Sequence, residues 1–223
     1  MTKIFSIKRR RPRWLPLLVG IIILVLGVAS RVLLKDSQPP PSNPTPHYSA
    51  DVVSNSTNTP DEQAPSQDYE STAKDNEPAM LRIPSINVNA HLQKVGVDQR
   101  TEIAVPNNIH IAGWFVDSAK PGEPGLSIID GHLDGIYEKG VFSQLAAISV
   151  GDRFSIERGD KQSLTFEVIS KQTIKAEYAA NILFSQDSHI PSQLNLITCG
   201  GAFDKQSRTY NDRIIVSARF VSA

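Results

Sequence analysis

From residue 79 to the C-terminus the apolar side chains come in short runs with a period of two, cut every few residues by glycine, proline or Asp-Gly pairs. That pattern belongs to many short strands joined by tight turns. Leu81, Ile83, then Ile86, Val88, Ala90 and Leu92 alternate, with one slip at Pro84-Ser85 that reads as a bulge or an edge strand. Ile103-Ala104-Val105 is a short strand closed by Pro106. Leu126 to Ile129 is a buried strand ending at Asp130-Gly131-His132. Phe154 and Ile156 climb one arm of a hairpin that turns at Gly159-Asp160 and returns through Leu164, Phe166 and Val168. Leu194 to Cys199 is a buried strand that stops at Gly200-Gly201, and the last strand, Arg213 to Val221, puts Ile214, Val216, Ala218 and Phe220 on one face. The helical candidates are brief: His110–Phe115, Val141–Ile148 and Tyr178–Leu183. The fold class is therefore mainly β, a closed or nearly closed barrel with short helices, and residues 79–223 are enough to bury a core of their own.

The chain ahead of residue 79 changes character twice. Residues 1–13 carry six basic side chains and no acid, and a 17-residue uncharged run, Trp14 to Ser30, follows. With Arg31 placed to snorkel, residues 14–34 suit a single transmembrane anchor, the basic tail in the cytoplasm and the remainder outside. Val28-Ala29-Ser30 offers a cleavage site, so a removed signal peptide is the competing reading, against which the apolar run is long. Residues 36–78 hold no Leu, Ile, Phe, Trp or Met, eight prolines, and eight acids against Lys74 alone. Such a tract cannot offset its ordering entropy by burial. Residues 35–78 are expected to form a disordered linker reaching on the order of 35–40 Å as a coil. From residue 79 the 14 basic and 15 acidic side chains give a net charge of −1, which argues against a nucleic-acid partner.

Cys199 is the only cysteine. A thiol at a strand end can face a cleft while the strand holds its backbone, and it becomes a nucleophile when a base or a cation raises its thiolate fraction. A buried inert thiol is the plain alternative. Of the five histidines, His47 lies in the linker, His91 in an alternating strand, and His110 and His189 in loops. His132 alone follows a buried strand and a glycine, as Cys199 ends one. Arg213 opens the last strand on the face away from Ile214 and Val216, 14 residues past Cys199, where a hairpin can return it to the cysteine. Its guanidinium keeps five fixed donors at any working pH. Arg208, in the loop, is the weaker candidate, and Asp134 could orient His132 or be an exposed loop acid.

Leu196-Ile197-Thr198-Cys199, with Gly131-His132 before it and Arg213 after it, resembles the signature of the sortase family. Cys199-Gly200-Gly201-Ala202-Phe203-Asp204, with Tyr210 and Asp212, is similar to its class E and F branches. The resemblance covers roughly residues 79–223 and implies a closed sortase-type barrel of about eight strands. It implies a cysteine transpeptidase of the Gram-positive cell envelope. Cys199 would attack an LPXTG-like sorting signal to give a thioacyl enzyme, which an amine of a peptidoglycan precursor or a pilin resolves. His132 would be acid and base, Arg213 the oxyanion or substrate contact, and Thr198 part of the substrate pocket. No cofactor is implied. No metal is expected either, because the Cys199–Arg213 loop lacks the acidic cluster of calcium-stimulated relatives. Two alternatives stand beside this reading. A papain-like envelope peptidase places Cys before His, the reverse of this chain; a non-catalytic barrel that only binds would leave Cys199 inert.

Overall fold

The structure is a computed structural model that describes residues 48–54, 59–66 and 69–223. Among the described residues nine strands form in chain order: β1 (Val52–Val53), β2 (Pro78–Ile83), β3 (Val88–Val95), β4 (Ala112–Phe115), β5 (Gly125–Asp130), β6 (Arg153–Arg158), β7 (Ser163–Lys175), β8 (Ser192–Asp204) and β9 (Thr209–Ser222). One helix, α1 (Ala179–Leu183), precedes β8. Strands β3-β2-β6-β7-β9-β8-β5-β4 run round a sheet that the parallel β3–β4 pairing closes into an eight-stranded barrel, and β1 lies along β3 outside the circuit. Closure removes the open edges that a sheet of this size would otherwise expose.

Alternation decides which side chains go inside. Leu81, Leu92, Trp114, Ile129, Ile156, Phe166, Leu196 and Val216 meet in one buried cluster in the barrel. Phe142, Leu145 and Ile148, all fully buried, plug it. On the outer face a second cluster of Val95, Ala104, Phe115, Ile128, Ala179, Leu183 and Ile215 packs α1 against the wall.

Four local expectations are corrected. The slip at Pro84-Ser85 is a reversal of the chain: Pro84–Ile86 form one 3-10 turn, and β2 and β3 pair antiparallel from Met80↔His91 to Ile83↔Val88. Pro84 supplies a fixed φ and Asn87 the left-handed φ of 55° that turns the chain back. The stretch after His110 is strand, because Ala112–Phe115 are buried on both sides and paired on both edges. Ile103 contributes only a bridge to Val97. The Cys199 strand runs on through its two glycines to Asp204; a register shift between Gly200 and Phe203 marks a bulge, with Gly201 at φ 75°.

The anchor expected over 14–34 lies outside the described residues. The linker expected to be disordered over 35–78 differs in its second half, where every described part lies on the barrel. Tyr48 Oη donates to Asp117 at 2.6 Å, and Val52–Val53 pair with Lys94 and Val95. Tyr69 packs on His91 with ring centroids 4.4 Å apart. Asp51 and Glu77 flank the buried Lys94 ammonium, Glu77 at 3.1 Å. The Glu62 carboxylate accepts the N–H groups of Ile136, Tyr137 and Glu138 at 2.5, 3.0 and 2.9 Å. A tract without large aliphatic residues docks here because its acids fit positions where the barrel presents a buried cation and unpaired donors.

Glu77→Ala removes one of two partners from a buried ammonium. We expect it to lower unfolding stability by about 1–3 kcal/mol, read from urea melts; a change within roughly 0.5 kcal/mol contradicts this account of the docked segment.

Candidate active site

β8 is hydrogen-bonded to β5 on one edge and to β9 on the other. The β5 ladder is parallel and in register from Gly125↔Ser192 to Asp130↔Ile197, and Gly131 N–H continues it by donating to Ile197 O at 3.2 Å. Two residues further along each strand, His132 stands level with Cys199. On the other edge the antiparallel ladder places Arg213 directly opposite Cys199. Alternation from Ile128, Ile197 and Ile215, all in the outer apolar cluster, puts His132, Cys199 and Arg213 on that same outer face. Cys199 and Arg213 are thus paired across β8 and β9, and His132 follows the end of β5, the strand on the other edge of β8.

Thr198 points the other way, is buried, and donates its hydroxyl to Gly131 O at 2.7 Å. The expected pocket-lining residue is a brace between the two strand ends: its hydroxyl fixes the backbone just before His132 to the backbone just before Cys199.

The His132 ring is partly buried and its Nε2 lies 2.8 Å from Pro106 O. A carbonyl oxygen only accepts, so Nε2 carries the proton and Nδ1 keeps the free lone pair. Burial lowers the imidazole pKa, opposed by the Pro106 hydrogen bond and by Asp134. Burial raises the Cys199 thiol, opposed by the Arg213 charge and reinforced by Asp134 and Asp130. Burial thus disfavours the charged form of each group.

Arg213 Nη1 donates to Tyr210 O and Asp212 O, each at 2.9 Å, so the hairpin backbone holds one arm of the guanidinium in place. Arg208 is exposed near the hairpin tip with φ 55°, five residues from Arg213. Asp134 is no free loop acid: it accepts from Tyr210 Oη at 2.5 Å and so ties the loop after His132 to the β8–β9 hairpin. The Tyr210 hydroxyl is pushed up to about 12, first by burial and then by that bond. His110 is taken up by Glu62 O, His91 by Tyr69, and His189 by Asp187. In the loop after His132 and in the β8–β9 hairpin, Ile136, Tyr137 and Phe203 are large apolar side chains left exposed.

Two elements of this neighbourhood escaped the sequence reading. One is the Tyr210–Asp134 link, whose partners are 76 positions apart. The other is Asp130, which is buried with its Oδ1 unpartnered; a carboxylate ending an otherwise apolar strand was the available signal. The cleft of about 870 Å3 bordered by His189, Gln193, Ser217 and Arg219 lies elsewhere on the outer face. Its Gln193↔Arg219 pair is six residues down the ladder from Cys199↔Arg213, and it includes none of His132, Cys199 and Arg213. Among the described residues no three His, Cys, Asp or Glu side chains are grouped to hold a metal ion.

We expect Cys199 to alkylate with a midpoint above the ordinary thiol value of 9.0. Removing the neighbouring cation in Arg213→Ala should move that midpoint further up, whereas Arg208→Ala should leave it in place. An unchanged profile in Arg213→Ala would show that its charge does not reach the sulphur.

A family model described as Sortase domain matches residues 81–221. No curated protein matches the chain. Among solved structures the chain is similar to a lid mutant of sortase A from Corynebacterium diphtheriae. That match has 24% identity, covers 68% of this chain and 74% of that one, and has a TM-score of 0.50. It is similar as well to sortase C1 from Streptococcus agalactiae, at 20% identity over 69% and 72% of the two chains with a TM-score of 0.50. At these identities the structural likeness speaks to the fold.

Proposed function

The chain belongs to the sortase family, whose members are cysteine transpeptidases, and on that footing we propose that it is a membrane-anchored enzyme that cleaves an LPXTG-like sorting signal and transfers the protein to an amine of the cell wall or a pilin. The observation that carries the reading is the pairing of Cys199 with Arg213 across β8 and β9, with His132 two residues past the end of β5 on the other edge of β8. In the proposed reaction Cys199 Sγ, its proton passed to His132, adds to the carbonyl of the signal's threonine. The oxyanion so formed lies beside Arg213, whose fork is already oriented by two backbone carbonyls. The C–N bond then breaks, His132 returns its proton to the leaving amine, and a thioester remains. An incoming amine attacks that thioester, loses a proton to His132, and regenerates the thiol. One amide is exchanged for another, with no cofactor in the balance.

Exposed Ile136, Tyr137 and Phe203 suit the apolar side chains of such a signal. The likeness of the Gly200–Asp212 hairpin to class E and F sortases supports placement in those branches. The basic 1–13 tail and the Trp14–Ser30 run support the anchor, with the catalytic domain outside the cell. A peptidase that only hydrolyses is the competing reading; it shares the acyl intermediate and differs in the acceptor.

One preparation tests both halves of the proposal. Membranes from cells making the full chain, washed in high salt and carbonate, should convert an LPXTG-like peptide and hydroxylamine to the hydroxamate. Activity found in the carbonate supernatant contradicts the anchor, and hydrolysis without hydroxamate contradicts transfer.

A further inference from the structure

Asp130 ends β5 two residues before His132 and on the same outward face as Ile128. It is only 6% exposed, and its Oδ1 has no hydrogen-bond partner. Across the β4–β5 ladder it stands opposite Gly113, and a methyl group added there would overlap Oδ1. Glycine at 113 is thus what lets the carboxyl lie down over the backbone of β4. The groups facing this corner are few. β4 brings Ala112 to Phe115 and nothing that titrates. β8 brings Ile197 and Cys199, and β9 brings Arg213 across from the cysteine. The following loop brings His132, and Asp134 with Tyr210 beyond it. No cation forms an ion pair with Asp130 among the described residues.

A carboxylate in such a place, with no counter-ion and only its own backbone N–H to favour its charge, carries a large desolvation cost, which a proton removes. We propose that Asp130 is a positioning residue of the active site: a buried neutral acid coupled to Cys199, so that ionisation of either group makes ionisation of the other harder. While neutral, Asp130 leaves Arg213 unopposed from this side as the charge favouring the thiolate. Once ionised, it stands against the thiolate in an interior that screens poorly. The direction of both groups agrees, since burial raises Asp130 well above the ordinary carboxylate range and Asp130 is among the groups that raise the thiol. Two groups coupled in this way titrate in macroscopic steps that belong to the pair.

This inference rests on Cys199 as the nucleophile, yet its test reads titrations and not turnover, so the two can fail separately. Full chain in detergent micelles, labelled with 13C at the aspartate carboxyl and assigned through the backbone, should show Asp130 still protonated well above the ordinary carboxylate range. Coupling is then read from both sides. Asp130→Asn is followed by the pH dependence of Cys199 alkylation, and Cys199→Ala by the Asp130 carboxyl signal. Whichever group ionises second should ionise earlier once its partner is removed, by roughly threefold to tenfold in its titration constant. A purely structural Asp130 would move neither curve. The proposal is overturned if Asp130 in the unaltered chain titrates near the ordinary value of about 4, or if neither variant shifts its partner. The carboxyl signal of the unaltered chain decides the first point even if Asp130→Asn fails to fold.

Discussion

The parallel ladder between β5 and β8 is what the site depends on. Parallel pairing leaves the two strands ending at the same end of the barrel, so whatever follows β5 is delivered beside whatever lies at the matching position of β8. A slip of one residue would turn Cys199 inward and His132 away from it. The Thr198 hydroxyl on Gly131 O guards against that slip at the place where the ladder's own hydrogen bonds run out. β9 needs no such brace, because a continuous antiparallel hairpin fixes Arg213 opposite Cys199.

The chemistry follows from placing these three residues on a buried outer face and not in open solvent. Burial pushes the thiol up and the imidazole down, disfavouring the charged form of each. Arg213 is the permanent cation that favours the thiolate, and the acids around it act in the opposite sense. The docked acidic segment belongs to the same economy: Glu62 caps the loop after His132, and Asp51 and Glu77 neutralise Lys94.

The site residues and the barrel were legible in the sequence because both rest on local signals. Period-two runs give strands, a histidine after an apolar run marks the end of β5, and a lone cysteine after another marks β8, although that strand runs on past it to Asp204. The reversal at Pro84–Asn87 was misread as a bulge because a tight turn shifts the phase of the alternation just as a bulge does. β4 was read as helix or turn because a strand buried on both faces loses the alternation that would identify it. The orientation of Thr198 follows from its being one residue from Cys199, but its partner on β5 does not. The docking of residues 48–54, 59–66 and 69–77 was hidden for a different reason: composition measures what a segment can bury by itself, and these stretches are held by groups the barrel supplies.

The central claim is that Cys199 becomes acylated by a sorting signal. Intact-protein mass spectrometry of the full chain, quenched in acid during reaction with an LPXTG-like peptide, measures this directly. The account predicts an added mass equal to the peptide up to and including its threonine. That mass should map to the Cys199 fragment, be released by hydroxylamine, and be absent in Cys199→Ala. Cleaved peptide with no such adduct at any quench time, or cleavage that persists in Cys199→Ala, would contradict it.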